Sequence, residues 1–330
     1  MLYGLLSRPA VHFDTEKDIP DLSGKVIAIT GGNAGLGLET ILRLAPHSPS
    51  HIYILSRNAS STSSSIAHVQ SLVPNCCPLT HIPCDLSDLS SVSSCAETLL
   101  KSTSRLDILF LNAGVMMVPP GLTKQGYEIH FGTNHLGHFL LSELLLGIME
   151  KTAKEGGDVR VVVVSSIGMQ FSPKSGIPYA SLKSTGSAFT FSSLYRYGTT
   201  KLANALFARE FHARYHDRGI TCVSVHPGVI ATGLWSSFFR FAENWGRVGE
   251  WMKWLGRSIP VVGFQSVETG AKNQLWAAVG RKGDREGEVK GGEFYTPVAV
   301  AGQGTWNSCD MGKARELWEW SEKAVEGFLK

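Results

Sequence analysis

The pattern Tyr-x3-Lys occurs twice in this chain, as Tyr179-Ala-Ser-Leu-Lys183 and as Tyr197-Gly-Thr-Thr-Lys201. Residues four apart share one face of a helix, so either pair could set a phenol beside an ammonium. A free phenol ionises near pH ~10, too high for efficient proton exchange at neutrality, and an adjacent cation stabilises the phenolate. Ser165-Ser166 follows an apolar run, and a serine hydroxyl can hydrogen-bond an oxygen on which charge develops. A third cluster, Thr30-Gly-Gly-Asn-Ala-Gly-Leu-Gly37, has the make-up of an anion cradle. Its glycines carry no Cβ, which leaves backbone N–H groups at a helix N-terminus open to a phosphate.

Such residues need elements to position them. Lys25-Val-Ile-Ala-Ile-Thr30 reads as a buried parallel strand, and the helical pattern Leu38, Ile41, Leu42, Leu44 follows the glycines. Further strands are expected at 51–55, 80–84, 106–111, 160–164 and 220–225. One helix is expected to start poorly over the serines at 60–65 and to be carried on by Ile66, Val69 and Leu72, with others over Tyr127–Met149, Tyr197–Tyr215 and Val267–Val279, and at the C-terminus over 311–330. Residues 1–24 read as an irregular arm. Strands alternating with helices indicate an α/β fold with a doubly wound parallel sheet, because parallel strands need crossover connections. The pattern runs from 25 to about 232 without a linker, so the 330 residues are expected to form one domain.

Composition narrows the function classes. A chain 43% hydrophobic and 18% charged can bury a core, which excludes a mostly disordered protein. Its 31 Lys+Arg nearly balance 28 Asp+Glu, so nothing calls for a nucleic-acid partner. The six Cys show no CxxC spacing and the eleven His no metal-ligand spacing, so neither a disulfide framework nor a metal is expected. Met1–Leu6 is too short for a signal-peptide apolar core, and no apolar run approaches the ~18 residues of a membrane span. A soluble, cytoplasmic protein is expected, and a resting place on a membrane surface stays open.

Thr30–Gly37, Asn112-Ala-Gly114, Ser165-Ser166, Tyr197-x3-Lys201 and Pro227-Gly228 resemble, in the same order, the motifs of the short-chain dehydrogenase/reductase family. Ser56-Arg57-Asn58, Thr133-Asn134-His-Leu-Gly-His-Phe139 and Lys201-Leu-Ala-Asn204 resemble its retinol-dehydrogenase-like branch. The resemblance covers about residues 25–232. It implies a Rossmann-type sheet and hydride transfer between a nicotinamide and a carbon bearing oxygen. In dinucleotide folds the end of the second strand usually carries a carboxylate for the ribose 2′-OH. Here it carries Ser56, Arg57 and Asn58, and a guanidinium pairs with a 2′-phosphate that a carboxylate would repel. NADP is therefore expected over NAD.

Carried over residue by residue, the resemblance makes Ser166 the group that polarises the substrate carbonyl and Tyr197 the general acid/base. Lys201 would lower the Tyr197 pKa and bond the nicotinamide ribose. Asn134 would hold a water in the proton relay, the alternative being a helix-interior Asn bonded to backbone. Gly31, Asn33, Gly35, Leu36 and Gly37 would receive the pyrophosphate, with Arg57 and Asn58 beside the adenosine ribose and Asp85 and Leu86 beside the adenine. Asn112, Ala113 and Gly114 would end the fourth strand, Asn112 steadying the sheet and Gly114 admitting the adenine ribose. Pro227, Gly228, Val229 and Thr232 would flank the nicotinamide.

The two tyrosines compete for one role. Tyr179 lies thirteen residues after Ser166, the separation usual in the family, and Tyr197 lies thirty-one after it. The second pair continues as a long amphipathic helix (Leu202, Leu206, Ala208, Phe211, Tyr215), whereas Lys183 is followed by residues poor in helix formers. Tyr197 and Lys201 are assigned on that ground, and 168–194 becomes an insertion beside the site, with Tyr179 facing substrate or serving as a loop tyrosine. Residues 234–263 hold four of the eight Trp, interleaved with Arg and Lys. They are read as a helical lid over a bulky apolar substrate, with membrane-surface contact and core packing as alternatives. The expected function is NADP(H)-dependent oxidation or reduction of an apolar carbonyl/alcohol pair. The alternatives are a catalytically idle NADP-binding protein or a membrane-surface lipid-handling protein.

Overall fold

The structure is a computed structural model that describes residues 9–185, 190–228, 230 and 265–329. The element order is β1 (Val26–Thr30), α1 (Gly35–Leu44), β2 (His51–Ser56), α2 (Ala59–Leu72), β3 (Leu79–Pro83), α3 (Leu89–Ser102) and β4 (Ile108–Leu111). There follow α4 (Ile129–Phe131), a π turn (Gly132–Leu136), α5 (Gly137–Leu144), α6 (Leu146–Lys154), β5 (Val159–Val164), α7 (Thr190–Tyr215) and β6 (Ile220–Val225). The chain ends with α8 (Val267–Val279), β7 (Phe294–Thr296), β8 (Val300–Ala301) and α9 (Met311–Val325).

Among the described residues the strands pair in the order β3-β2-β1-β4-β5-β6-β7-β8, parallel throughout except for β8. Strand order reverses between β1, which pairs with β2 on one side, and β4 on the other. Ligands of open α/β sheets bind in the crevice at such a reversal, beyond the carboxyl ends of the strands. The expected doubly wound sheet is thus present, and it is Rossmann-like.

The strands read as continuous apolar runs because both faces are covered. Val26, Ala28, Leu109, Leu111, Val161 and Val163 face one core, closed by α3, α5, α7 and α9. Ile27, Ile29, Ile108, Phe110, Val162 and Val164 face the other, closed by α1 and α8. The N-terminal arm contributes Phe13, Ile19 and Leu22 to this second core without forming helix or strand.

The helix expected to start over the serines is present, while several later elements differ from expectation. The serines at 60–65 lie inside α2, which Asn58 caps by accepting from the Ser61 N–H at 2.8 Å. Thr62, Ser64 and Ser65 turn their hydroxyls back to the carbonyls four residues earlier, which satisfies them inside a helix. The long helix over 127–149 is instead α4, the π turn, α5 and α6. α7 starts at Thr190 rather than at Tyr197, which shortens the insertion after Ser166. β7, β8 and α3 were not anticipated. Val229, Thr232 and the aromatic segment 234–263 lie outside the described residues. Ile230 and Gln265 pair as a parallel bridge, so the chain returns beside the point from which it departs.

Candidate active site

β1 ends in Thr30, and the chain turns through Gly31, whose φ of +67° favours glycine. A Cβ on Gly31 would press on Ala113 at 3.1 Å, and one on Gly37 would reach the Asn112 amide at 2.8 Å and the Gly31 carbonyl. The loop is therefore packed against the end of β4. α1 begins at the exposed Ala34 and Gly35 with no side-chain cap and no acidic residue in its first turn. By contrast, α2, α3, α8 and α9 are capped by Asn58, Asp88, Ser266 and Asp310. An uncapped N-terminus leaves N–H donors free for an anion, which fits a pyrophosphate.

Asn33 sits in this loop and bonds Ser61 on α2 at 3.1 Å. Leu36 packs against the second core from the first turn of α1. Arg57 is exposed at the end of β2, and among the described residues no carboxylate pairs with it. The Asn58 oxygen is committed to capping α2. The Asp85 carboxylate accepts from the Ser87 N–H and hydroxyl at 2.9 and 2.6 Å, and Leu86 is buried against Gly137 at the start of α5. Asn112 donates through Nδ2 to the Thr30 carbonyl at 2.9 Å, so it ties β4 to β1.

The catalytic candidates converge at the carboxyl ends of β4 and β5. Ser165 points to the α7 side and donates to the Lys201 carbonyl at 2.6 Å. Ser166 leaves the strand, and its hydroxyl accepts from the Gly168 N–H at 3.0 Å. A Cβ on Gly168 would lie 3.1 Å from the Tyr197 ring and 3.3 Å from the Ser166 hydroxyl, so glycine lets these two groups share a wall. On α7, Lys201 stands one turn beyond Tyr197, its Nζ 5.5 Å from the Tyr197 ring centre and 2.9 Å from the Val164 carbonyl. Asn204 donates to the same carbonyl at 3.1 Å. A Cβ on Gly114 would lie 3.2 Å from the Asn134 Oδ1 and 3.7 Å from the Lys201 Nζ, which places Gly114 at the same centre.

Burial sets the charges. Lys201 is 4% exposed, and desolvation pushes its ammonium down to about 8. Burial pushes the Tyr197 phenol up to about 12, with the Ser166 hydroxyl pulling in the other direction. His138 and His226 flank Lys201 and are held neutral, at about 4 and about 3, first by burial and then by the lysine's charge.

Asn134 lies in the π turn and is fully buried. Its Oδ1 accepts from the Val115 N–H at 2.7 Å, and its Nδ2 donates to the Val115 carbonyl at 2.9 Å and the Thr200 hydroxyl at 3.1 Å. The side chain thus clamps the loop after β4 to α7, and its main-chain carbonyl meets the His138 ring.

Tyr179 is placed elsewhere. It opens a single 3-10 turn, Tyr179–Ser181, and packs 5.5 Å from Trp320 of α9, while Lys183 lies over the Tyr127 ring. Burial and the nearby Glu316 raise its phenol further above the ordinary value. Pro227 and Gly228 follow β6, and Gly228 takes a φ of +90° against the Gln265 side chain. Thr200 and His226 were not singled out from sequence, and Thr30, His138 and Asn204 entered only within motifs, His138 as a structural residue. Polar residues inside otherwise apolar strand and helix patterns were the available signal.

Comparison with known proteins identifies the family. The family described as short chain dehydrogenase matches residues 25–194. A short-chain dehydrogenase/reductase of Armillaria gallica is 33% identical over 317 residues, covering 94% of this chain and 93% of that protein. Retinol dehydrogenase 12 of Mus musculus is 38% identical over 224 residues, covering 68% of this chain and 67% of its own. Among solved structures, a putative uncharacterized protein of Mycobacterium paratuberculosis aligns with a TM-score of 0.69 at 26% identity, over 96% of this chain and 98% of that one. L-sorbose reductase of Gluconobacter frateurii, solved with NADPH and L-sorbose, shares the fold with a TM-score of 0.62 at 19% identity, over 86% of this chain and 97% of its own. The glycine loop, the serine and the helical tyrosine–lysine pair therefore stand in a chain that belongs to the short-chain dehydrogenase family, with retinol-dehydrogenase-like relatives.

Proposed function

We propose that the protein is an NADP(H)-dependent oxidoreductase that interconverts a carbonyl and an alcohol on an apolar small molecule. The observation that carries this reading is the buried Tyr197–Lys201 pair on α7 beside Ser166. Family membership supports use of a nicotinamide cofactor, which supplies or takes up the hydride when bound. The glycine loop and the N-terminus of α1 would hold its pyrophosphate, and Arg57 would pair with a 2′-phosphate.

Within the chain, Ser166 orients the reacting oxygen through its hydroxyl, and Tyr197 exchanges the proton with it. A phenol at about 12 is too weak an acid for this at neutral pH, so in this reading a nearby positive charge has to lower it, and Lys201, 5.5 Å from the ring centre, is the cation placed to do so. Lys201 at about 8 is protonated at neutrality and able to play that part. Asn134 holds α7 to the loop after β4, which keeps Tyr197 and Gly114 in register. An idle nucleotide-binding protein would gain nothing from an ammonium buried this deeply.

The apolar character of the substrate rests on the aromatic segment 234–263 that follows Thr232 in sequence, and on the retinol-dehydrogenase-like relatives. Titrating NADPH and NADH against wild type and Arg57→Asp tests the cofactor. Wild type is expected to bind NADPH more tightly, with the preference lost or reversed in the variant; an unchanged preference would remove Arg57 from the site. Following NADPH oxidation against ketones, aldehydes, retinoids and steroids tests the reaction, and activity confined to hydrophilic sugars would overturn the substrate class.

A further inference from the structure

His138 lies in α5, 2% exposed, with both ring nitrogens engaged. Its Nδ1 stands 3.0 Å from the main-chain carbonyl oxygen of Asn134, and its Nε2 stands 2.9 Å from Oγ1 of Thr30. A carbonyl oxygen can only accept, so Nδ1 carries the proton. Burial and the charge of Lys201 keep the ring neutral, so Nε2 carries none and must accept from the Thr30 hydroxyl. That assignment also completes Thr30. Its oxygen accepts from the N–H groups of Asn112 at 2.9 Å and Ala113 at 3.0 Å. Its one proton then goes to His138 rather than to the Phe110 carbonyl 3.3 Å away. Neighbouring polar groups have partners of their own: Ser142 donates to the His138 main-chain carbonyl at 2.8 Å, and the Asn134 amide is spent on Val115 and Thr200.

We propose that His138 is a positioning residue for the oxidoreductase reaction, its Nδ1–H tautomer tying the Asn134 carbonyl to Thr30 and so fixing the π turn to the strand end that carries the dinucleotide loop. The proposal rests on the functional reading above. Thr30 precedes Gly31 directly, so the ring bridges the start of the cofactor loop to the turn holding Asn134. Asn134 in turn bonds Thr200, whose hydroxyl donates to the Tyr197 carbonyl at 2.8 Å. One connected set of hydrogen bonds therefore runs from the glycine loop to the backbone of the catalytic tyrosine. The link closes on a π turn, a departure from regular helix that recurs at functional sites. The loop itself keeps independent supports, from Asn112 to the Thr30 carbonyl and from the Gly31 N–H to the Leu55 carbonyl at 2.8 Å. Loss of the ring is thus expected to disturb catalytic alignment far more than cofactor binding.

The experiment has two arms. Nitrogen NMR of 15N-histidine-labelled wild type is expected to show one buried ring as the neutral Nδ1–H form, unchanged across neutral pH. The His138 signal, identified by its absence from His138→Phe, found as the Nε2–H form or titrating near neutrality would overturn the proposal, and this arm needs no substrate. His138→Phe keeps a ring but neither bond. Catalysis can lose ~10²-fold for a displacement of about 1 Å, and a lost tether is expected to cost about tenfold in kcat with NADPH Kd within about twofold. Thr30→Ser, which keeps the hydroxyl, is expected to retain most turnover, and Thr30→Ala to fall with His138→Phe. Unchanged kcat in His138→Phe would overturn the proposal while leaving the oxidoreductase reading intact. A wild type with no carbonyl-dependent NADPH oxidation would instead remove that reading, and the proposal with it.

Discussion

Replacing Lys201 with methionine is expected to stabilise the folded protein at neutral pH while abolishing turnover. The ammonium is held at about 8, against the usual 10.5 of a free lysine. Between those values the unfolded chain binds the proton and the folded chain does not, so stability rises with pH from about 8 to 10.5. Below the folded value the full penalty applies. Each pKa unit corresponds to ~1.4 kcal/mol, so burying this charge costs the native state roughly 3 kcal/mol at pH 7. Methionine has similar length and no charge. It removes the bond from Nζ to the Val164 carbonyl, but Asn204 still donates to that oxygen at 3.1 Å, so no buried acceptor is orphaned. Losing one net hydrogen bond costs about 1 kcal/mol, which leaves a gain of ~2 kcal/mol. Urea unfolding of both proteins across neutral to alkaline pH reads the difference directly. The variant is expected to be more stable at pH 7, with the gap closing toward the unfolded lysine value. A variant no more stable than wild type at pH 7, or a gap independent of pH, would refute the claim that Lys201 is held charged against its solvation.

Tyr197→Phe is expected to lower turnover by ~10²–10⁴-fold with NADPH affinity nearly unchanged, because general acid/base catalysis contributes about that much. Tyr179→Phe, which removes the same hydroxyl from a residue packed on Trp320, is expected to keep most turnover, and steady-state kinetics on the pair decides between the two tyrosines. Trp318 is 1% exposed and packs on Phe139, Phe207, Phe211 and Tyr215, so Trp318→Ala is expected to cost ~3–5 kcal/mol in urea unfolding.

The strands were legible because the sheet is covered on both faces. Val26–Thr30, His51–Ser56, Val159–Val164 and Ile220–Val225 are buried on both faces and therefore apolar at most positions. β7 and β8 gave no such signal. They are three and two residues long, and Phe294 and Tyr295 are strand only because Ser224 and Val225 offer them an edge. α3 was hidden by its serines, although Leu89, Val92, Ala96 and Leu99 fall at helical spacing on the buried side. The helix of Tyr197 was readable from its downstream face, whose Leu202, Leu206 and Phe211 are fully buried.

Site residues were harder to read because a residue type shows which atoms exist, not which remain free. Asn58 stands where a ribose contact was expected, yet its oxygen caps α2, and the cap depends on Ser61 three residues later, a pattern present in the sequence. Asn134 is the opposite case. Its amide is consumed by Val115 and by Thr200, nineteen and sixty-six residues away, and no local spacing foretells either partner. A buried amide with every polar atom bonded acts through the segments it holds together. That shifts the weight at this position from the Asn134 side chain to its carbonyl, and from there to His138. A histidine four residues along a helix would ordinarily be read as packing. Here the same spacing puts its Nδ1 on the main-chain carbonyl of Asn134, whose side chain is already tied to Val115 and Thr200.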